Sequence, residues 1–130
     1  MRELVAVIVG SIVGTSLRLG LDTLVPHTGE QFPVSTLVIN VVGSFVLGLF
    51  VARVWPTAPV WLRSGLGAGL VGTFTTFSAL ALSMVTLARS DQLLLAAVYL
   101  AVTLIAGFGA AFLGISVGRR RSRAEAEATE

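Results

Sequence analysis

The chain has 130 residues, 55% of them hydrophobic and 12% charged, with one histidine, no cysteine and a formal net charge of +2. A soluble domain carries about 25% charged residues, and a mean hydropathy of +0.90 places this chain in a lipid bilayer. The lack of cysteine excludes a disulfide framework and thiolate chemistry, and the lone His27 excludes a histidine metal cluster or relay.

A helical crossing needs about 20 mostly apolar residues, so four crossings nearly use up the length. The first apolar run, 4–21, carries Arg18 near its far end and is too long and too charged there for a cleavable signal sequence. A polar connection, 22–33, holds Pro26, His27, Gly29 and Glu30; the second run, 34–54, follows with Asn40 as its strongest polar interruption. Pro56 and Pro59 mark a turn. The third run, 62–87, is dense in Gly, Thr and Ser at its middle, and Arg89, Ser90 and Asp91 turn the chain into the fourth, 92–117. Four Arg then lead into an Ala/Glu stretch, so that 119–130 is a charged tail too polar to pack and expected to be disordered. The result is an all-α membrane protein: a single four-span unit, 1–118, and the tail.

The nine basic residues are all Arg and lie at the termini and segment ends without interleaved aromatics. A nucleic-acid partner is therefore not expected. With four spans both termini share a side, which holds Arg2, Arg53, Arg63, Arg119, Arg120, Arg121 and Arg123 against Arg18 and Arg89 opposite. Cytoplasmic ends hold the Arg excess, so both termini are expected in the cytoplasm, with the protein in the cell membrane.

Small residues recur four apart at Gly10/Gly14, Gly65/Gly69, Ala110/Gly114 and Gly114/Gly118, the spacing that lets helix backbones meet closely in lipid. Four short helices cannot surround a wet pore and also bury their own polar groups, so a solute-moving chain of this size should oligomerise.

Asn40 sits inside an apolar span, where an unpartnered carboxamide costs several kcal/mol. Two readings stand: an interhelical hydrogen bond, or a donor for a passing anion. Thr36 and Ser44 lie one turn to either side and extend a polar track along one helix face. In the third span, 65–78 collects glycines with Thr73, Thr75, Thr76 and Ser78. Such a cluster has weak helix propensity and invites a mid-membrane break. Breaks expose carbonyl oxygens, which suit a hard cation, although Gly/Thr-rich packing without an ion has the same composition. Phe74 and Phe77 lie three apart, as core or lipid-facing aromatics or with a positive ring edge toward an anion. Tyr99, Thr103 and Gly107 form a candidate second strip on span four.

No enzyme constellation emerges: no intramembrane carboxylate pair, no Ser beside a His and no phosphate-binding Gly-Lys string. A proton-coupled carrier needs Asp, Glu or His inside a span, and a small multidrug exporter a carboxylate there; the spans of this chain hold none. A passage lined by neutral donors favours a small anion.

The chain resembles the small double-barrelled fluoride channels, the Fluc or CrcB family, along its whole hydrophobic length. The resemblance rests on Gly14-Thr15-Ser16-Leu17-Arg18, on Thr36 through Asn40 to Gly43-Ser44-Phe45 with Gly48, and on Gly72-Thr73-Phe74-Thr75-Thr76-Phe77-Ser78. It implies an antiparallel two-subunit channel with two pores that lets fluoride leave the cytoplasm passively, lowering its toxicity. It further implies that Asn40 donates to the ion, that Thr36 and Ser78 assist and that Phe77 is a pore aromatic. Tyr99 and Thr103 would form the polar track, with Arg18 at the vestibule. Gly72 and Thr75 would offer backbone carbonyls to a structural Na+ that is not transported.

Three positions depart from the family pattern. Leu80 stands where a second pore aromatic is usual, Gly107 where a hydroxyl is, and Thr73 where a glycine is. Leu80 has no positive edge, and it joins the seven-to-two Arg bias in pointing to one half of a heterodimer whose inverted paralogue supplies the missing ring. The competing reading is a non-conducting structural subunit of a membrane complex.

Overall fold

A computed structural model describes residues 1–24 and 32–127, with 121–127 described by backbone alone. His27 and most of the 22–33 connection lie outside the described residues, as do 128–130. The described chain is helical: α1 (Arg2–Leu24), α2 (Val34–Arg53), α3 (Val60–Ser64), a π-helical segment (Gly65–Val71), α4 (Gly72–Phe74), α5 (Phe77–Arg89) and α6 (Leu93–Glu127). There are no strands among these residues, and four passes are long and apolar enough to cross a membrane: α1, α2, α3 through α5, and α6.

Each pass begins and ends within three residues of its apolar run, except at the last end. There α6 continues past Val117 to Glu127, so the tail expected to be disordered is helical along most of its length. Arg, Ala and Glu are good helix formers, and an established helix extends at little cost because its nucleus is already formed.

Two parallel helix pairs build the molecule. The first pass lies against the third through the π segment, and the second against the fourth. Glycine makes both crossings possible. A Cβ at Gly10 would strike the Gly65 carbonyl, one at Gly14 the Leu70 carbonyl, and one at Gly69 would come within 2.8 Å of the Val7 oxygen. On the other pair, a Cβ at Gly48 would strike the Ala111 carbonyl and one at Gly114 the Phe45 carbonyl, and at Gly118 it would lie 2.7 Å from Ala52 Cβ. Backbone thus touches backbone, which is how apolar helices gain dispersion energy in a solvent as apolar as themselves.

The third pass breaks as its composition suggests. Wide i→i+5 turns run through Gly65–Val71, one α-turn follows, and the chain opens at Thr75 (ψ 156°) and Thr76 (φ −147°, ψ 117°) before α5 restarts. Thr76 caps the restart, its Oγ1 accepting from Ala79 N–H at 3.1 Å. The other end of α5 closes with Asp91 at φ 56° and Gln92 N–H donating to the Leu87 carbonyl at 2.9 Å, the six-to-one bond of a Schellman turn. A small core of Leu80, Leu87, Ala96 and Tyr99, flanked by Phe32, Leu37 and Met84, fastens α5 to α6 and to the start of α2.

Candidate functional site

Thr75 and Thr76 lie outside any helix, so their polar groups need partners from elsewhere. An extended residue presents its own N–H and C=O on one side, and at Thr76 both meet one side chain. Asn40 Oδ1 accepts from Thr76 N–H at 2.8 Å, and Asn40 Nδ2 donates to the Thr76 carbonyl at 3.1 Å. The carboxamide thus pairs with the break as a neighbouring strand would. Gly43, one turn along α2, makes room for it, since a Cβ there would strike Thr75 Cγ2. The interhelical bond envisaged for Asn40 is therefore present, and it occupies the oxygen and only one of the two amide hydrogens.

A cleft of about 380 Å³ opens beside this clasp. Asn40, Gly43 and Ser44 line it from α2, Thr75, Thr76, Phe77 and Leu80 from the break and α5, and Thr103, Gly107 and Phe108 from α6. No charged side chain lines it. Phe77 and Phe74 part company here: Phe74 is buried at 9% exposure, while Phe77, first residue of α5, is 80% exposed and projects from the chain. Leu80 is buried, packed into the core with Tyr99 while still facing the cleft.

Behind Thr103 lies a pocket of hydroxyls. Tyr99 is fully buried, Thr36 and Thr103 nearly so, and the Tyr99 hydroxyl faces those of Thr36, Ser83 and Thr103. Neither Tyr99 Oη nor Thr103 Oγ1 has a hydrogen-bond partner. Hydroxyls that face one another need only a small adjustment to bond among themselves, so the pocket is a polar patch beside the cleft. The Phe32 ring, 5.2 Å away and perpendicular, holds Tyr99 in place.

On the far side of Thr76 a second cleft, about 310 Å³, is lined by Arg18, Asp22, Ser78, Ala79 and Leu82. The residues singled out in the sequence thus divide. Asn40, Phe77, Thr103 and Leu80 share the first cleft, Thr36 and Tyr99 stand behind it, and Arg18 and Ser78 line the second. Thr76 belongs to both.

The backbone at the break also has carbonyls to spare. The Gly72 carbonyl would normally receive Thr76 N–H, which Asn40 takes, while Thr75 N–H goes to Val71. The Thr75 carbonyl would receive Ala79 N–H, which Thr76 Oγ1 takes. Both oxygens therefore fit the ligand type of a hard cation. Thr73, where a glycine was the usual choice, ties the third pass to the first, its hydroxyl donating to the Gly69 carbonyl at 2.7 Å with the Ser11 carbonyl at 3.2 Å.

Sequence reasoning missed Ser83 and the parts played by Gly43 and Thr76. The signal for Thr76 was present as a hydroxyl residue before an apolar run, the mark of a helix start, inside a span that otherwise reads as continuous.

Comparison with known proteins agrees with this geometry. Residues 5–115 match the family described as CrcB-like protein, Camphor Resistance (CrcB). The chain is 40% identical over 128 residues to the "Fluoride-specific ion channel FluC 2" of Halalkalibacterium halodurans, covering 95% of this chain and 93% of that one. It is 41% identical over 124 residues to the "Fluoride-specific ion channel FluC" of Allorhizobium ampelinum, covering 92% and 98%. A third relative of that name, from Xanthomonas axonopodis pv. citri, is 36% identical over 121 residues, with 91% of each covered. A multi-pass membrane chain that keeps a broken third span, a carboxamide fastened to the break and this likeness over nearly its full length belongs to the CrcB family.

Proposed function

We propose that this chain is a subunit of a passive, fluoride-selective ion channel that lets fluoride leave the cytoplasm, and not an enzyme. The observation that carries the proposal is the uncharged cleft at the helix break, where Asn40 keeps an unused amide hydrogen and orphaned hydroxyls stand close behind. An anion stripped of water needs donors, and the start of α5 adds more. The first N–H groups of a helix have no partner within it, and Thr76 satisfies only that of Ala79. In this reading Asn40 donates to the ion, Thr36, Tyr99 and Thr103 form the track behind it, and Phe77 offers its ring edge. Arg18 and Ser78 draw the anion into the second cleft.

The assembly in this reading is an antiparallel dimer in the cell membrane, with both termini in the cytoplasm. Phe77 projects out of the single chain, so a second subunit is what turns an open cleft into a passage. Na+ is proposed as a structural ion on the carbonyls of Gly72 and Thr75, where it would neutralise backbone dipoles and is not transported. Leu80 at the second aromatic position, with the one-sided Arg distribution, favours a heterodimer with an inverted paralogue.

The test is fluoride efflux from liposomes holding this chain alone, followed by an ion-selective electrode beside a chloride control. Selective efflux from the chain alone would assign a working homodimer, and in whichever assembly conducts Asn40→Leu should slow it about a hundredfold or more, since burying an anion without its donor costs several kcal/mol. Silence rescued by a co-expressed paralogue would assign the heterodimer. Silence under all conditions would favour a structural subunit.

A further inference from the structure

The Asn40–Thr76 pairing has a direction. A carboxamide has an acceptor edge and a donor edge, and rotating it by half a turn exchanges them. At Thr76 only one orientation works, because the reverse would set Nδ2 against the backbone N–H and Oδ1 against the carbonyl. What holds Thr76 in the extended shape that offers both groups together is its own side chain. Its Oγ1 accepts from Ala79 N–H, which fixes the first turn of α5, and sits 3.1 Å from Ser78 Oγ.

We propose that Thr76 is the positioning residue of the ion pathway. Its hydroxyl caps α5, the cap holds the Thr76 backbone extended, and that backbone locks the Asn40 carboxamide with its oxygen turned to the Thr76 N–H and one Nδ2 hydrogen left for the cleft. Asn40 then offers the passage a donor, with its acceptor turned to the break. From Asn40 a cation gains no oxygen, whereas an anion gains a donor. The inference deepens the proposed function and rests on the reading that Asn40 donates to the conducted ion.

Asn40 is the only asparagine in the chain, so asparagine-selective nitrogen-15 labelling gives one side-chain amide, with two protons on one nitrogen. In the full-length protein in detergent micelles, titrated with fluoride and separately with chloride, fluoride should move only one of those two protons. Thr76→Val should move the hydrogen-bonded proton toward the shift of a free carboxamide, slow fluoride efflux about tenfold, as expected for one lost hydrogen bond, and raise cation leak relative to fluoride. Thr76→Ser keeps the cap and should behave as the parent. Two protons that respond equally to fluoride, or a Thr76→Val protein with unchanged ion selectivity, would overturn the proposal. If neither proton responds to fluoride and Asn40→Leu conducts normally, the donor reading itself has failed and the positioning role goes with it. Where Thr76→Val does not reconstitute, the parent protein decides: a fluoride response confined to one proton supports the lock, and an equal response of both overturns it.

Discussion

At the scale of single residues the chain separates polar groups that hold the fold from those left open. Thr73 and Thr75 return their hydroxyls to nearby carbonyls, an ordinary use of Thr in a span. Tyr99 and Thr103 do not. Tyr99→Phe removes an orphaned hydroxyl while keeping the ring against Phe32, so thermal stability should hold or rise slightly. Fluoride efflux should fall nonetheless if the hydroxyl serves the ion; equal losses in both would make Tyr99 a packing residue alone. Asp91 has a left-handed φ of 56°, which suits glycine and costs other residues about 1 kcal/mol. Asp91→Gly should therefore raise the unfolding midpoint in a detergent melt, without touching conduction, because the turn lies beyond the end of α5.

At the scale of elements, stability is concentrated in two glycine-mediated crossings. Gly114→Leu would push α6 off the Phe45 and Leu49 backbone, and overpacking of this kind costs about 1–3 kcal/mol or more where backbone cannot give way. Loss of folded protein in a gel-filtration profile is the expected outcome. Gly43 is a finer instrument, because the group its Cβ would strike is Thr75 Cγ2, on the break itself. Gly43→Ala should spread α2 from the third pass and loosen the Asn40 clasp, so efflux should suffer more than the melting temperature. The π segment and the break act as one unit: wide turns admit α1 on one side, and the opening at Thr75–Thr76 receives Asn40 on the other.

For the whole molecule, the exposed apolar surface decides. Phe77, Phe108 and Phe112 are 80%, 74% and 70% exposed, a mass of aromatic surface that lipid or a second subunit must cover. Light scattering on the purified chain, corrected for detergent, should give a dimer when the proper partner is present. If the heterodimer reading holds, this chain alone gives monomer and silent liposomes, and Leu80→Phe should restore part of the efflux by supplying a ring edge to a self-pair.

How much could be read in advance depends on the range of the interaction. Hydropathy is a local sum, so the four passes, their approximate limits and the all-helical class were legible from composition, as was a third span weakened by Gly and Thr. Glycines four apart announced close crossings for the same reason, since their spacing is a property of one helix. Which helix each would meet was not legible, and the pairing of first with third and second with fourth pass came only with the structure. Asn40 illustrates the division. That it needed a partner followed from the cost of a bare carboxamide in lipid; that the partner is the backbone of Thr76, 36 residues away in sequence, depends on how two helices are brought side by side. The orphaned hydroxyls behind Thr103 and the split between buried Phe74 and projecting Phe77 are likewise decisions of packing, because each turns on which neighbours surround a residue and not on the residue itself.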